Sequence, residues 1–150
     1  MPTFSAASEA SLAKCLPQLQ QIARAAIKVI DFRVLDSTRG RAAQEKAFRT
    51  GNSKVHFGDS AHNYVPAVAF DLFPAPYDWD NRQSFINLSK VILAMPAKLG
   101  LVGLDDKPLR LRWLGDPNSD GNLADGWDMP HYELHVWRDY AKKFSKLYED

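Results

Sequence analysis

The tightest constraint on this chain lies in residues 58–71, Gly-Asp-Ser-Ala-His-Asn-Tyr-Val-Pro-Ala-Val-Ala-Phe-Asp. His62 and the carboxylate of Asp71 stand on either side of a short apolar segment, and Ala67–Phe73 reads as a buried strand. A second stretch, residues 126–137, Gly-Trp-Asp-Met-Pro-His-Tyr-Glu-Leu-His-Val-Trp, brings another histidine and further carboxylates. Two imidazoles, one hard oxygen ligand and a spare carboxylate to take a proton from water are the donor set of a catalytic zinc ion. The rest of the chain is then expected to be scaffold and substrate cleft.

At 150 residues the chain fits a single domain, 1–150, with a real core. Its formal net charge of +1 offers no basic field for nucleic acid. No run approaches the ~18–20 apolar residues of a membrane span. The N-terminus lacks a basic segment followed by a long apolar one, so no secretory signal is expected. One cysteine, Cys15, excludes an internal disulfide and a cysteine-rich zinc site. Any zinc must be held by histidines and carboxylates. Cys15 itself, within Leu12–Leu16, reads as packing on the buried side of a helix.

Apolar residues at spacings of three and four predict helices over 8–16 and 17–29, with Pro17 opening or kinking the second. A short strand is expected over 31–35. A helix over 41–49 should end at Thr50-Gly51. Asp80 or Asn81 can cap a helix over 82–95, closed by Pro96 and Gly100 with room for one more turn at 97–99. Residues 101–104 and 109–114 are strand candidates, 115–125 a loop, 131–136 a strand and 140–148 a closing helix. Helices and short strands mix without regular βαβ alternation, which favours α+β.

The four histidines are His56, His62, His131 and His135. His131, Glu133 and His135 share one face of the expected strand. His131 and His135 would also fit ligand spacing on a helix, whereas Pro130, Tyr132, Val136 and Trp137 favour the strand. Spacing alone leaves the His131/His135 pair open. His56 reads as loop surface and His135 as structural or as a support to a ligand. Arg41 reads as a solvated helix face. Arg39, beside a strand end, could do the same or could orient a carboxylate or an oxyanion. Trp113, Trp127, Tyr132 and Trp137 could line a cleft, with core packing the alternative.

Ser60-Ala-His62 followed by Ala69-Phe-Asp71 resembles the Ser-x-His-x-x-Gly-x-Ala-x-Asp motif of the zinc D-Ala-D-Ala carboxypeptidase/L-alanyl-D-glutamate endopeptidase family. Asp128-Met-Pro-His131-Tyr-Glu resembles that family's Asp-x-Pro-His-Phe-Glu motif, found in its endopeptidase branch. Arg112-Trp-Leu-Gly-Asp116 is similar to its Trp-Gly-Gly-Asp segment. Ser37-Thr-Arg39, Gln44 and Gly51 resemble its Gly-Tyr-Arg, Gln and Gly run. The resemblance spans roughly residues 10–140 in order.

What the resemblance implies is concrete. The fold would be hedgehog/D,D-peptidase-like, a small, mainly antiparallel sheet with flanking helices. One zinc ion would sit on His62, Asp71 and His131, with Asp128 as general base. Arg39 would be a catalytic and substrate-side group, and Ser60 a substrate-side group. Glu133 would hold a ligand histidine in its tautomer, or else face solvent. The substrate would be the peptidoglycan stem peptide, cut between L-Ala and D-Glu. A small catalytic domain without a signal looks most like a phage endolysin: a monomer made in the host cytoplasm, acting on the wall after holin-assisted release. A D,D-carboxypeptidase trimming a terminal D-Ala, or a non-catalytic wall- or metal-binding module, are the competing expectations. One departure is plain. His62 and Asp71 are nine apart where the family has seven, and Val65-Pro66 stands as a two-residue insertion in place of the glycine. His62 is therefore expected from the loop before the strand, and that loop should absorb the extra residues.

Overall fold

The computed structural model describes residues 2–123 and 126–149. Its elements run α1 (Ala6–Ala13), α2 (Pro17–Ala26), β1 (Phe32–Val34), α3 (Arg41–Arg49), a 3-10 turn (Ala61–Asn63), β2 (Tyr64–Val65), β3 (Ala69–Pro74), α4 (Arg82–Lys98), β4 (Leu111–Trp113), β5 (His131–Leu134), α5 (Trp137–Phe144) and β6 (Lys146–Leu147). Four strands form an antiparallel sheet in the order β1-β3-β5-β4. β2 and β6 form a separate antiparallel ribbon. Helices beside a small antiparallel sheet are the α+β arrangement expected from the sequence.

Strand alternation divides the sheet into two faces. Phe32, Val34, Phe70, Leu72, Tyr132 and Leu134 lie on one face and are at most 3% exposed. That face packs on Leu12, Leu19 and Ile22 of α1 and α2 and on Leu88 and Ile92 of α4. Each such side chain taken from water stabilises the fold by about 1.5–3 kcal/mol, so this layer carries the stability. The opposite face holds Arg33 and Phe73, Asp71 and His131, and the row Ala69, Glu133 and Arg112. It is the face on which the polar residues of both motifs converge.

Several boundaries differ from the expected ones, each for a physical reason. α1 stops at Ala13 because the next backbone pairs elsewhere: Ala67 N–H donates to Lys14 O at 2.7 Å and Leu16 N–H to Ala67 O at 3.0 Å. Pro17 then opens α2 at its first helical position, where a missing N–H costs nothing. α4 runs through Pro96 to Lys98, while Asn81 caps its start by accepting from Ser84 N–H at 3.1 Å. Residues 101–104 form no ladder strand but an isolated Val102–Pro108 bridge, with Gly103 N–H donating to Lys107 O at 2.7 Å and Leu109 N–H to Leu101 O at 3.0 Å. Of the loop expected over 115–125, Ala124 and Asp125 lie outside the described residues. The closing helix is Trp137–Phe144, starting three residues early, and the segment after it turns extended as β6.

β6 explains where the Val65-Pro66 insertion goes. Tyr64 and Val65 pair with Leu147 and Lys146. Ser145 Oγ donates to Pro66 O at 2.6 Å, and Tyr148 N–H to Asn63 O at 2.8 Å. Arg41 closes the outside through paired contacts to Glu149 at 3.0 and 3.2 Å. Val65 thus ends one strand of the ribbon, Pro66 follows it under Ser145, and Ala67 is held on the other side by the Lys14–Leu16 backbone.

Candidate metal centre

Asp71 and His131 are directly paired across β3 and β5. The ladder bonds Leu72 N–H to Pro130 O (2.8 Å) and Leu134 N–H to Val68 O (2.9 Å) fall on the alternate residues. The pair therefore occupies a non-hydrogen-bonded position, where opposed side chains approach most closely. His62 reaches them from the 3-10 turn. Ser60 caps that turn, its Oγ accepting from His62 N–H at 3.2 Å. Asn63 Oδ1 reciprocates by accepting from Ser60 N–H at 3.1 Å and from Gly58 N–H at 2.9 Å.

The three side chains meet in a near-equilateral triangle. His62 Nε2 lies 3.0 Å from His131 Nδ1 and 3.2 Å from Asp71 Oδ1, and His131 Nδ1 lies 3.1 Å from Asp71 Oδ1. Donors on a tetrahedral zinc at ~2.0–2.1 Å stand roughly 3.3–3.4 Å apart, so the triangle is close to the size an ion demands. Tautomers fit as well. His62 Nδ1 lies 3.2 Å from Ser37 O, and His131 Nε2 lies 2.8 Å from Glu133 Oε1. Each of those nitrogens has an acceptor for its proton, which leaves a lone pair on the nitrogen facing the triangle. Among the described residues these three form the one cluster of histidine and carboxylate groups suited to a metal ion.

The electrostatics follow from burial and proximity. Burial by itself would raise the Asp71 carboxyl, but the charges and hydrogen bonds of His62 and His131 outweigh it and hold the group well below the usual carboxylate range. Burial would likewise lower His131. Its hydrogen bonds to Asp71 and Glu133 prevail and push it up to about 9. Asp128 is raised, first by burial and then by the Asp71 charge, against opposing contributions from His131, His62 and Arg39. Those couplings place both Asp128 and Arg39 within electrostatic reach of the triangle. A glycine makes the Asp128 approach feasible: a Cβ on Gly126 would collide with the Gly115 carbonyl oxygen. Behind it, Trp127 N–H donates to Leu114 O at 3.1 Å and Trp113 Nε1–H to Met129 O at 2.6 Å, fixing the segment against β4.

The remaining sequence candidates divide clearly. Arg39 is half-buried, and its Nη1 donates to Gln44 Oε1 at 3.2 Å. Glu133 is buried, with Arg112 Nη1 3.8 Å from its second oxygen. Arg41 is solvated and tied to Glu149. His135 is exposed beyond the end of β5 and stands apart from the cluster, because the strand ends at Leu134. His56 is exposed and pairs with Glu45 at 2.9 Å. Trp113 and Tyr132 are core, Trp137 packs on Tyr64, and Trp127 is 65% exposed. Burial pushes the Cys15 thiol up to about 12, as suits an inert packing residue.

One functional group of residues was not singled out by sequence pattern: a buried amide network. Asn63 Nδ2 donates to Arg39 O and to Gln44 Oε1, both at 3.1 Å, and Gln44 Nε2 donates to Ser53 Oγ and Val55 O, both at 2.8 Å. Both amides are fully buried. They tie the Arg39 backbone, α3 and the His62 turn into one unit. The sequence signal was confined to Gln44, which stands in the family-like run with Arg39 and Gly51, and nothing marked Asn63.

A model of the phage L-alanyl-D-glutamate peptidase family matches residues 2–135. The chain belongs to that family. Membership makes it a peptidase of the L-alanyl-D-glutamate class, in agreement with the motif resemblance. Among solved structures it is similar to the Serratia marcescens L-Ala D-Glu endopeptidase ChiX, at 24% identity and a TM-score of 0.66, over 92% of this chain and 93% of that one. That likeness is one of fold and agrees with the architecture described above. No curated protein matches the chain.

Proposed function

We propose that this family member is a zinc-dependent peptidoglycan peptidase that cuts the L-Ala–D-Glu bond of the stem peptide and serves as a phage endolysin. The observation that carries the zinc assignment is the triangle of His62 Nε2, His131 Nδ1 and Asp71 Oδ1, with the outward nitrogen of each imidazole already facing an acceptor. His62, Asp71 and His131 would hold the ion. Zinc in such a three-ligand site supplies Lewis acidity to a carbonyl and lowers the pKa of water.

The protein groups around it complete the chemistry. Asp128, raised above an ordinary carboxyl by burial and by Asp71, is suited to take a proton from the attacking water and give it to the leaving amine. Arg39, braced by Gln44, supplies a fixed positive charge for the carbonyl oxygen or a substrate carboxylate. Ser60 keeps the His62 turn in shape and leaves its hydroxyl proton free to reach substrate. Glu133 holds His131 by the nitrogen that faces away from the triangle.

Mass analysis of digested muropeptides tests this reading. It predicts new D-Glu amine termini, abolished by chelator and by Asp128→Ala, with zinc retained in that variant. Free D-Ala would instead mark a carboxypeptidase. Wall binding without new amines would mark a non-catalytic module.

A further inference from the structure

The sheet face that carries the metal triangle also carries an aromatic platform with no part in the peptidase chemistry. Phe73 shares its face with Asp71, one same-face step along β3, or about 6.6–6.8 Å. Trp79 lies flat on Phe73, with ring centroids 4.1 Å apart and planes 14° from parallel. Phe85 closes the stack, at 6.1 Å from Phe73 and 6.0 Å from Trp79. Phe73 and Phe85 are buried, yet Trp79 remains 58% exposed. A large indole is thus stacked on a buried ring and left largely in water.

We propose that Trp79 is the stacking surface of a sugar subsite, taking the N-acetylated amino sugar that bears the stem peptide. The proposal rests on the peptidase reading above and deepens it. The reach is set by the substrate's own chemistry. L-Ala is the first residue of the stem and is amide-linked to the lactyl ether of the sugar. Two extended units therefore separate the scissile bond from the sugar ring, about 6.6–7.2 Å at ~3.3–3.6 Å each. With the scissile carbonyl at the triangle, the ring falls at the level of Phe73, where Trp79 is the exposed aromatic surface. A pyranose offers a face of C–H groups to an indole while its hydroxyls stay wet, which suits a half-exposed tryptophan.

Charge gives the same direction independently. The peptide half carries the D-Glu carboxylate, whereas the sugar half is neutral. Arg112, diagonally across the Asp71–His131 pair from Phe73, puts a guanidinium on that face, its Nε donating to Pro117 O at 3.0 Å and its Nη1 3.8 Å from Glu133. On the Trp79 side the nearest cation of the sheet, Arg33, is stacked 3.8 Å from the Tyr77 ring centroid.

The test is a ratio of kcat/KM on two substrates: the stem peptide with an acetylated N-terminus, and the same stem on its disaccharide. The zinc-loaded wild-type protein should prefer the sugar-bearing substrate. Trp79→Ala should cut that preference about tenfold, and Trp79→Phe should retain most of it. Trp79→Leu keeps an apolar cover over Phe73 without a ring face, so it guards against a mere loss of packing. It should lose the preference as Trp79→Ala does. A preference unchanged in Trp79→Ala, or kept in Trp79→Leu, overturns the subsite while leaving the peptidase reading intact. Wild-type protein that cleaves neither substrate overturns both.

Discussion

Asn63→Ala tests the buried amide network beside the candidate metal site. The Asn63 side chain is fully buried and makes four hydrogen bonds: Oδ1 accepts from the Gly58 and Ser60 backbones, and Nδ2 donates to Arg39 O and Gln44 Oε1. Gln44 Oε1 keeps a second partner in Arg39, so truncation orphans chiefly two backbone N–H groups and one carbonyl. At about 1–3 kcal/mol for each buried unpaired group, with partial relief from entering water, the loss should be roughly 3–5 kcal/mol. For a domain of this size that is a fall in Tm of about 6–20 °C. Asn81→Ala is the internal control. It removes the single cap bond to Ser84 N–H at the surface of α4 and should cost about 1 kcal/mol. Thermal and urea unfolding of both variants provide the comparison. If Asn63→Ala lost no more stability than Asn81→Ala, the claim that this amide network builds the site would be refuted.

Other outcomes follow from the same geometry. Glu133→Ala removes the acceptor 2.8 Å from His131 Nε2 and should weaken zinc binding about 10–100-fold in a chelator competition; a change within about twofold would contradict the supporting role. In protein stripped of metal, His131 is raised from 6.5 to about 9. A group raised by folding contributes fully below its unfolded value and loses that contribution as pH climbs through the folded one. Stripped protein should therefore melt progressively lower from about pH 6.5 to about 9, and a Tm rising across that window would count against it. Deleting residues 145–150 removes β6 and its contacts to Pro66 and Asn63. The Gly58–Pro66 segment should then be cut faster by a probe protease and zinc affinity should fall; unaltered cleavage and affinity would show the ribbon to be ornamental.

The candidate metal ligands were legible because each motif writes its chemistry locally. Asp71 lies in an apolar run that reads as a buried strand, His131 lies in an alternating one, and Pro130 and Tyr132 favour strand over helix there. His62 was legible as a loop residue because its odd spacing from Asp71 cannot share a strand face. Pairing partners were less visible. Lys146–Leu147 carries no strong strand pattern, and its extended form comes from Tyr64–Val65, far away in sequence. The same holds for Asn63, whose side chain bridges segments 19 and 24 residues distant. Trp79 looked like part of a proline-rich break, since nothing in its neighbourhood announces that Phe73 will lie beneath it. Local pattern sets direction and burial, whereas these contacts depend on how distant segments are brought together.

Metal content is the most direct measure of whether His62, Asp71 and His131 hold an ion. Elemental analysis of purified protein, dialysed against trace zinc, should find one zinc per chain in the wild type and in Asp128→Ala, and almost none in Asp71→Ala or His131→Ala. Zinc at wild-type stoichiometry in the last two variants, or none in the wild type, would contradict that assignment.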